Sequence, residues 1–150
     1  MSMNIFDAWN KQKKKADTNE EIPGFKEREL WFLRMGKNVG FEQDGKGTEF
    51  LRPIIVFKKF NTRVFWGVPM TGLEKKGPYY LRLPDINSRR NIAILSQIRL
   101  FDAKRMKYKI GVCPENDFQI LKEKIKNLID GTDRVRKFKP RRSGEARRRL

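Results

Sequence analysis

A carboxylate, an amide and a guanidinium, Glu42, Gln43 and Arg52, lie within one glycine-punctuated stretch, Gly40-Phe41-Glu42-Gln43-Asp44-Gly45-Lys46-Gly47-Thr48-Glu49-Phe50-Leu51-Arg52-Pro53, which runs into the apolar Ile54-Ile55-Val56-Phe57. Glycines admit backbone angles that residues with a Cβ avoid, so the stretch reads as a mobile polar loop that carries these groups to the mouth of a buried strand. Farther on, Thr71 places a hydroxyl where an apolar run gives way to a loop, Lys75 and Lys76 form a basic turn, and Gln97 and Arg99 break into another apolar run. A buried Gln97 needs hydrogen-bonded partners for its amide. The chain has no histidine and a single cysteine, Cys113, so a His general base, a Cys/His zinc site and an intramolecular disulfide are all impossible. Any catalysis must therefore run on carboxylates, hydroxyls, amides and cations. The competing reading is a solvated hairpin loop whose arginine only marks a strand start, and composition alone favours it.

The elements that must position these groups are legible in outline. Asn4 to Lys15 reads as a short amphipathic helix, with Ile5, Phe6 and Trp9 on one side and Lys11, Lys13, Lys14 and Lys15 crowding its end. Asp17 to Gly24 is a polar linker, and Glu29 to Leu33 the first core strand, with Trp31 in the core. Pro53 to Phe60 and Arg63 to Met70, split by Asn61-Thr62, make a hairpin. Tyr79 to Leu83 is a further strand, Pro84 to Arg90 a polar connection, Asn91 to Leu100 one continuous strand and Tyr108 to Cys113 the last. Cys113 takes the N-cap place of a closing helix, Pro114 its first position, and Gly131 its stop. Phe118, Leu121, Ile125, Leu128 and Ile129 form the apolar face of that helix. Cys113 is structural, since nothing near it in sequence supplies a base to activate a thiol.

Three segments follow: a helix and linker over 1–24, a folded domain over 25–130, and a disordered basic tail over 131–150 whose Arg and Lys residues add phosphate affinity. Across 150 residues, 35 Lys and Arg against 18 Asp and Glu leave a formal charge of +17. Nucleic acid, an anionic membrane or an acidic protein are the partners such a field attracts. No run approaches the roughly 18 apolar residues of a bilayer span and no apolar leader opens the chain, which points to the cytoplasm. A strand-rich middle and a closing helix make a mainly β protein with α, a small barrel or strongly coiled sheet with a helix packed on it.

In order, Gly40-Phe41-Glu42-Gln43, Arg52-Pro53-Ile54-Ile55-Val56, Val68-Pro69-Met70-Thr71, Ala93-Ile94-Leu95-Ser96-Gln97-Ile98-Arg99 and Cys113-Pro114-Glu115 resemble the MazF/PemK toxins of bacterial type II toxin–antitoxin systems, over roughly residues 25 to 130. The resemblance implies an SH3-like (CcdB/PemK-like) β-barrel with a C-terminal amphipathic helix, to which this chain adds an N-terminal helix. It also implies a homodimer, a metal-independent and cofactor-free endoribonuclease acting on single-stranded RNA by 2′-hydroxyl attack, and an acidic antitoxin as partner. By the same resemblance Arg52, Thr71 and Glu42 are catalytic: Arg52 stabilises charge on the phosphate, Thr71 holds a non-bridging oxygen, and Glu42 acts as base. Gln43, Gln97, Arg99, Lys75 and Lys76 are assigned to RNA. Each has a bland counterpart: a loop salt bridge for Glu42, a structural amide for Gln97, a surface charge for Arg99.

Two alternatives use the same charge. One is a non-catalytic module on the same barrel, binding RNA or DNA or, as CcdB does, a topoisomerase. The other is an interaction protein working through Trp9, the lysines and the tail. The stretch from Gly40 to Pro53 is, on the toxin reading, a lid whose glycines let Glu42 swing toward Arg52 and Thr71.

Overall fold

The computed structural model describes residues 4–131; the tail expected beyond Gly131 lies outside them. Helix α1 spans Ile5–Asp17, and seven strands follow: β1 Glu29–Arg34, β2 Leu51–Lys59, β3 Val64–Thr71, β4 Tyr80–Ile86, β5 Arg89–Ile94, β6 Arg99–Asp102 and β7 Met106–Val112, before helix α2, Glu115–Asp130. The antiparallel sheet runs β4-β5-β3-β2-β1-β7, with β6 attached to β3. Among the described residues no helix is long and apolar enough to cross a membrane.

Strand periodicity sorts the core into two sides. Leu30 of β1 and Ile55 of β2 pack with Val68, Met70, Leu95, Ile110, Phe118, Leu121 and Ile125, so one face of the sheet is closed by α2. Their neighbours Trp31, Leu33, Ile54 and Val56 face the other way, against Phe25, Phe65, Phe101 and Met106. The sheet thus curls on itself with apolar layers on both faces. Helix α2 ends at Gly131, which adopts the left-handed φ of 77° that glycine tolerates without a Cβ clash.

Five local expectations need correction. Asn91 to Leu100 is not one strand: β5 ends at Ile94, a 3₁₀ turn occupies Leu95–Gln97, and β6 begins at Arg99. Strand β3 changes partner along its length, pairing Met70 and Thr71 with β5 but Val64 to Gly67 with β6. Pro69, with no N–H to offer a ladder, lies in the gap between the two pairings. Pro84 to Arg90 is not an open connection but a tight hairpin, in which Asn87 and Ser88 take φ of 52° and 58°. Pro114 rather than Cys113 caps α2, and Ile129 is 79% exposed instead of completing the apolar face. Finally, α1 buries only Trp9 and Ala16, leaving Ile5 and Phe6 exposed; Asn4 caps it by accepting a 2.8 Å bond from the Phe6 N–H.

Helix α1 is seated by one large side chain. Trp9 packs at a tilt against Phe50, ring centres 5.5 Å apart, and presses on Gly36, where a Cβ would meet the indole at 2.3 Å. The seat is thus the base of the β1–β2 loop.

Candidate functional site

The loop between β1 and β2 is cross-braced. Gly45 N–H donates to the Gly36 carbonyl at 2.7 Å, and Lys46 pairs with Leu51 as an isolated bridge. Gly45 can only be glycine, since a Cβ would stand 1.6 Å from the Phe50 carbonyl oxygen. Asp44 accepts from the Asn38 N–H at 2.6 Å and from Lys37 Nζ at 2.9 Å, while Asn38 Nδ2 donates to the Gln43 carbonyl at 2.7 Å. The expected lid is therefore a folded loop whose exposed tip is Val39 to Glu42. Two of the glycines serve close packing, one beneath Trp9 and one against Phe50.

Gln97 ties that tip to the 3₁₀ turn. Its Nε2 donates to the Phe41 carbonyl at 3.2 Å and its Oε1 accepts from the Gln43 N–H at 3.3 Å. The amide is half-buried, and both its polar atoms are used on the loop backbone. Met35, Asn38, Glu42, Gln43, Pro69, Ser96, Gln97, Ile98 and Arg99 line an open groove of about 430 Å³ along this seam. The groove lies where β3 changes partner, beside Pro69 and the 3₁₀ turn.

Arg99 lies in it with its guanidinium 4.7 Å from the Phe101 ring centre and Nη1 4.0 Å from Met35 Sδ. Burial pushes its pKa below the ordinary arginine value, and the Glu42 charge partly offsets that push. Glu42, which lines the groove, is exposed, and its Oε1 accepts from the Val39 N–H at 3.0 Å.

Arg52 and Thr71 are buried and do not line this groove. Arg52 Nε donates to the Asp44 carbonyl and Nη1 to the Met70 carbonyl, the latter at 3.0 Å. The guanidinium therefore stands one residue behind the groove on both sides, beside Gln43 through Asp44 and beside Pro69 through Met70. Burial lowers its pKa, with Asp44 opposing. Its Nη2 makes no hydrogen bond among the described residues. Thr71 Oγ1 accepts from the Leu73 N–H at 3.2 Å, which leaves its own proton free to donate. Lys75 and Lys76 are exposed on the following loop, with no ion pair among the described residues.

So the structure gathers Glu42, Gln43, Gln97 and Arg99 in one groove, sets Arg52 just behind it, and leaves Thr71, the residue after Met70, and Lys75 and Lys76 outside its lining. One residue that sequence reasoning passed over is Phe41, 99% exposed at the tip, its carbonyl held by Gln97. The available signal was an aromatic flanked by glycine and glutamate in a polar loop, a poor candidate for the core.

The curled antiparallel sheet closed by a helix is the fold of the MazF toxins. The chain superposes on MazF (Form-I) from Deinococcus radiodurans with a TM-score of 0.59 at 18% identity, covering 74% of this chain and 99% of that one. An endoribonuclease from Mycobacterial species matches with a TM-score of 0.56 at 7% identity over 74% and 96% of the two chains. A Mycobacterial endoribonuclease in complex with its cognate antitoxin matches at 0.53 and 8% identity over 72% and 95%. No curated protein matches the sequence. Residues 26–129 match the family described as the PemK-like, MazF-like toxin of type II toxin–antitoxin systems, and the chain belongs to that family. Helix α1 falls outside the matched span.

Proposed function

We propose that this toxin is an endoribonuclease that cleaves single-stranded RNA without metal, by attack of a ribose 2′-hydroxyl on the adjoining phosphate. The observation that carries the reading is the groove itself, where an acid, two amides and an arginine meet over a buried arginine and a hydroxyl. Glu42 removes the 2′-proton, and the 2′-oxygen bonds to phosphorus as the bond to the 5′-oxygen breaks. That oxygen takes a proton from solvent in the open groove, leaving a 2′,3′-cyclic phosphate and a 5′-hydroxyl end. Negative charge developing on the non-bridging oxygens is met by the Arg52 Nη2 edge, the Thr71 hydroxyl and Arg99. Phe41 offers a face on which a base stacks, while Gln43 and Gln97 hold that platform. Lys75 and Lys76 supply outlying phosphate contacts.

The partners follow from the same surface. A cognate antitoxin with an acidic segment occupies the groove in competition with RNA, supported by the +17 charge and by the antitoxin-bound neighbour. The action is cytoplasmic, where both RNA and antitoxin are met. A homodimer forms through the β3–β6 face, where Phe60, Trp66 and Leu100 are exposed and Trp66 sits opposite Leu100. Light scattering on a Trp66→Lys protein checks this: a dimer that persists refutes that face.

The test of activity is incubation of the purified chain with single-stranded RNA in chelator, followed by mapping of fragment ends. Cyclic-phosphate ends with wild type and none with Arg52→Ala or Glu42→Gln are expected. Intact RNA with wild type, or cleavage retained by Arg52→Ala, overturns the assignment and favours a binding module.

A further inference from the structure

A second cleft adjoins the groove and belongs to no assigned site. Of about 340 Å³, it lies between α1 and the Ala103–Arg105 turn and is lined by Trp9, Asn10, Lys13, Lys14, Lys104 and Arg105, with Ala16, Asp17 and Asp102 completing it. Met35 is the divider. Arg99, in the groove, contacts Met35 Sδ, while Arg105, in the cleft, donates through Nη1 to the Arg34 and Met35 carbonyls at 3.0 and 3.3 Å. The two guanidinia thus flank one residue, close enough that the Arg99 charge, after burial, helps lower the pKa of Arg105, with Asp102 opposing. Holding like charges together in this way costs stability unless an anion lies across them. Arg105 rests over the Trp9 ring at 5.8 Å. Its Nε and Nη2 make no hydrogen bond among the described residues.

The acids of the cleft offset its cations only in part. The Asp102 charge opposes the lowering of the Arg105 pKa while its Oδ1 accepts from the Lys104 N–H at 2.9 Å, and at Asp17 it is the carbonyl that receives Lys104 Nζ, also at 2.9 Å; these two carboxylates stand against Lys13, Lys14, Lys104 and Arg105. Lys13 and Lys14 are exposed and make no ion pair among the described residues. Arg99 thus neighbours Arg105, which shares the cleft with Lys104, Lys14 and Lys13. The last two stand on a helix that precedes the family match, which begins at residue 26.

We propose that the α1 cleft binds backbone phosphates of a single-stranded nucleic acid whose adjoining part lies in the Glu42–Arg99 groove, so that α1 lengthens the substrate track. The proposal rests on the ribonuclease reading for which strand is held, and its test does not read cleavage. The probes are 2′-O-methyl RNA oligonucleotides, which have no attacking hydroxyl, in short and long lengths of about 4 and about 14 nucleotides. The full-length chain is titrated with each by fluorescence anisotropy at several salt concentrations. Replacing both Lys13→Gln and Lys14→Gln should weaken the long probe about tenfold, taking roughly threefold per phosphate contact, and leave the short probe unchanged. The salt slope on the long probe should fall by about 1.4, from roughly 0.7 per single-strand phosphate. A charge-matched control, Lys122→Gln with Lys126→Gln on α2, should lose far less. Equal loss on both probe lengths, equal loss in the control, or an unchanged long probe with weakened binding of polyglutamate overturns the proposal. Should wild type prove unable to cleave RNA, the ribonuclease reading fails while these binding results still decide the cleft.

Discussion

Replacing Gln97 by methionine removes two hydrogen bonds while keeping the length of the side chain. The lost contacts are the 3.3 Å bond from the Gln43 N–H and the 3.2 Å bond to the Phe41 carbonyl, the ties between the 3₁₀ turn and the loop tip. Net hydrogen-bond contributions run about 0.5 to 1.5 kcal/mol each. Both bonds are long, and water reaches the half-buried site, so about 1 kcal/mol in total is a fair value. Since 1.4 kcal/mol is a factor of ten, the Gln43 amide should exchange with solvent about fivefold faster in Gln97→Met, read by native-state hydrogen exchange. Amides in the middle of α2, such as Leu121, should exchange as before, because the α2 core is untouched. If the ribonuclease reading holds, kcat/KM falls with the tie. Unchanged exchange at Gln43, or a uniform rise across both regions, refutes the view that Gln97 acts by holding the loop.

Trp9→Ala should cost about 3 kcal/mol, the lower end of the range for removing a buried tryptophan, measured as a lowered urea midpoint. It should also raise the protease sensitivity of residues near 18–24. The Cys113 thiol is fully buried, and burial, with Asp117 and Glu115 adding to it and Arg28 opposing, pushes its pKa up to about 11. Thiol reagents at pH 8 should therefore label it only after denaturant is added. Glu29 resists the upward push of burial through bonds from Trp31 Nε1 and the Lys26 N–H and through Lys109, which leave its pKa below the ordinary 4.5. A depressed carboxylate contributes stability above its unfolded pKa and loses it as pH falls through the folded value, so Glu29→Gln should flatten the stability curve below about pH 4.5 in acid titration of the melt.

Much of the architecture was legible because local chemistry decided it. The β2–β3 hairpin follows from two apolar runs around Asn61-Thr62, and the closing helix from Phe118, Leu121 and Ile125 with Gly131 behind them. What failed needed distant partners. Residues 91–100 alternate well enough for one strand, and only the exchange of β5 for β6 along β3 breaks them, an event decided around Pro69 more than twenty residues upstream. Residues 84–90 look like a loop because positive φ at Asn87 and Ser88 is a rarer choice than at glycine. In the candidate site, the order and types of Glu42, Arg52, Thr71 and Gln97 were visible. That Gln97 would spend its amide on backbone 54 and 56 positions away, and that Arg52 would spend two of its nitrogens on carbonyls, was not.

The seating of α1 also has a consequence in time. The helix is made before the domain, yet its seat is assembled from Gly36, Phe50 and the turn at Asp102 to Arg105. Contacts so far apart in sequence close late, after the intervening chain has been ordered. During synthesis the lysine-rich helix therefore travels unseated, ahead of the domain it will later brace. The base of the β1–β2 loop receives its full wedge only after the chain has been made through Arg105.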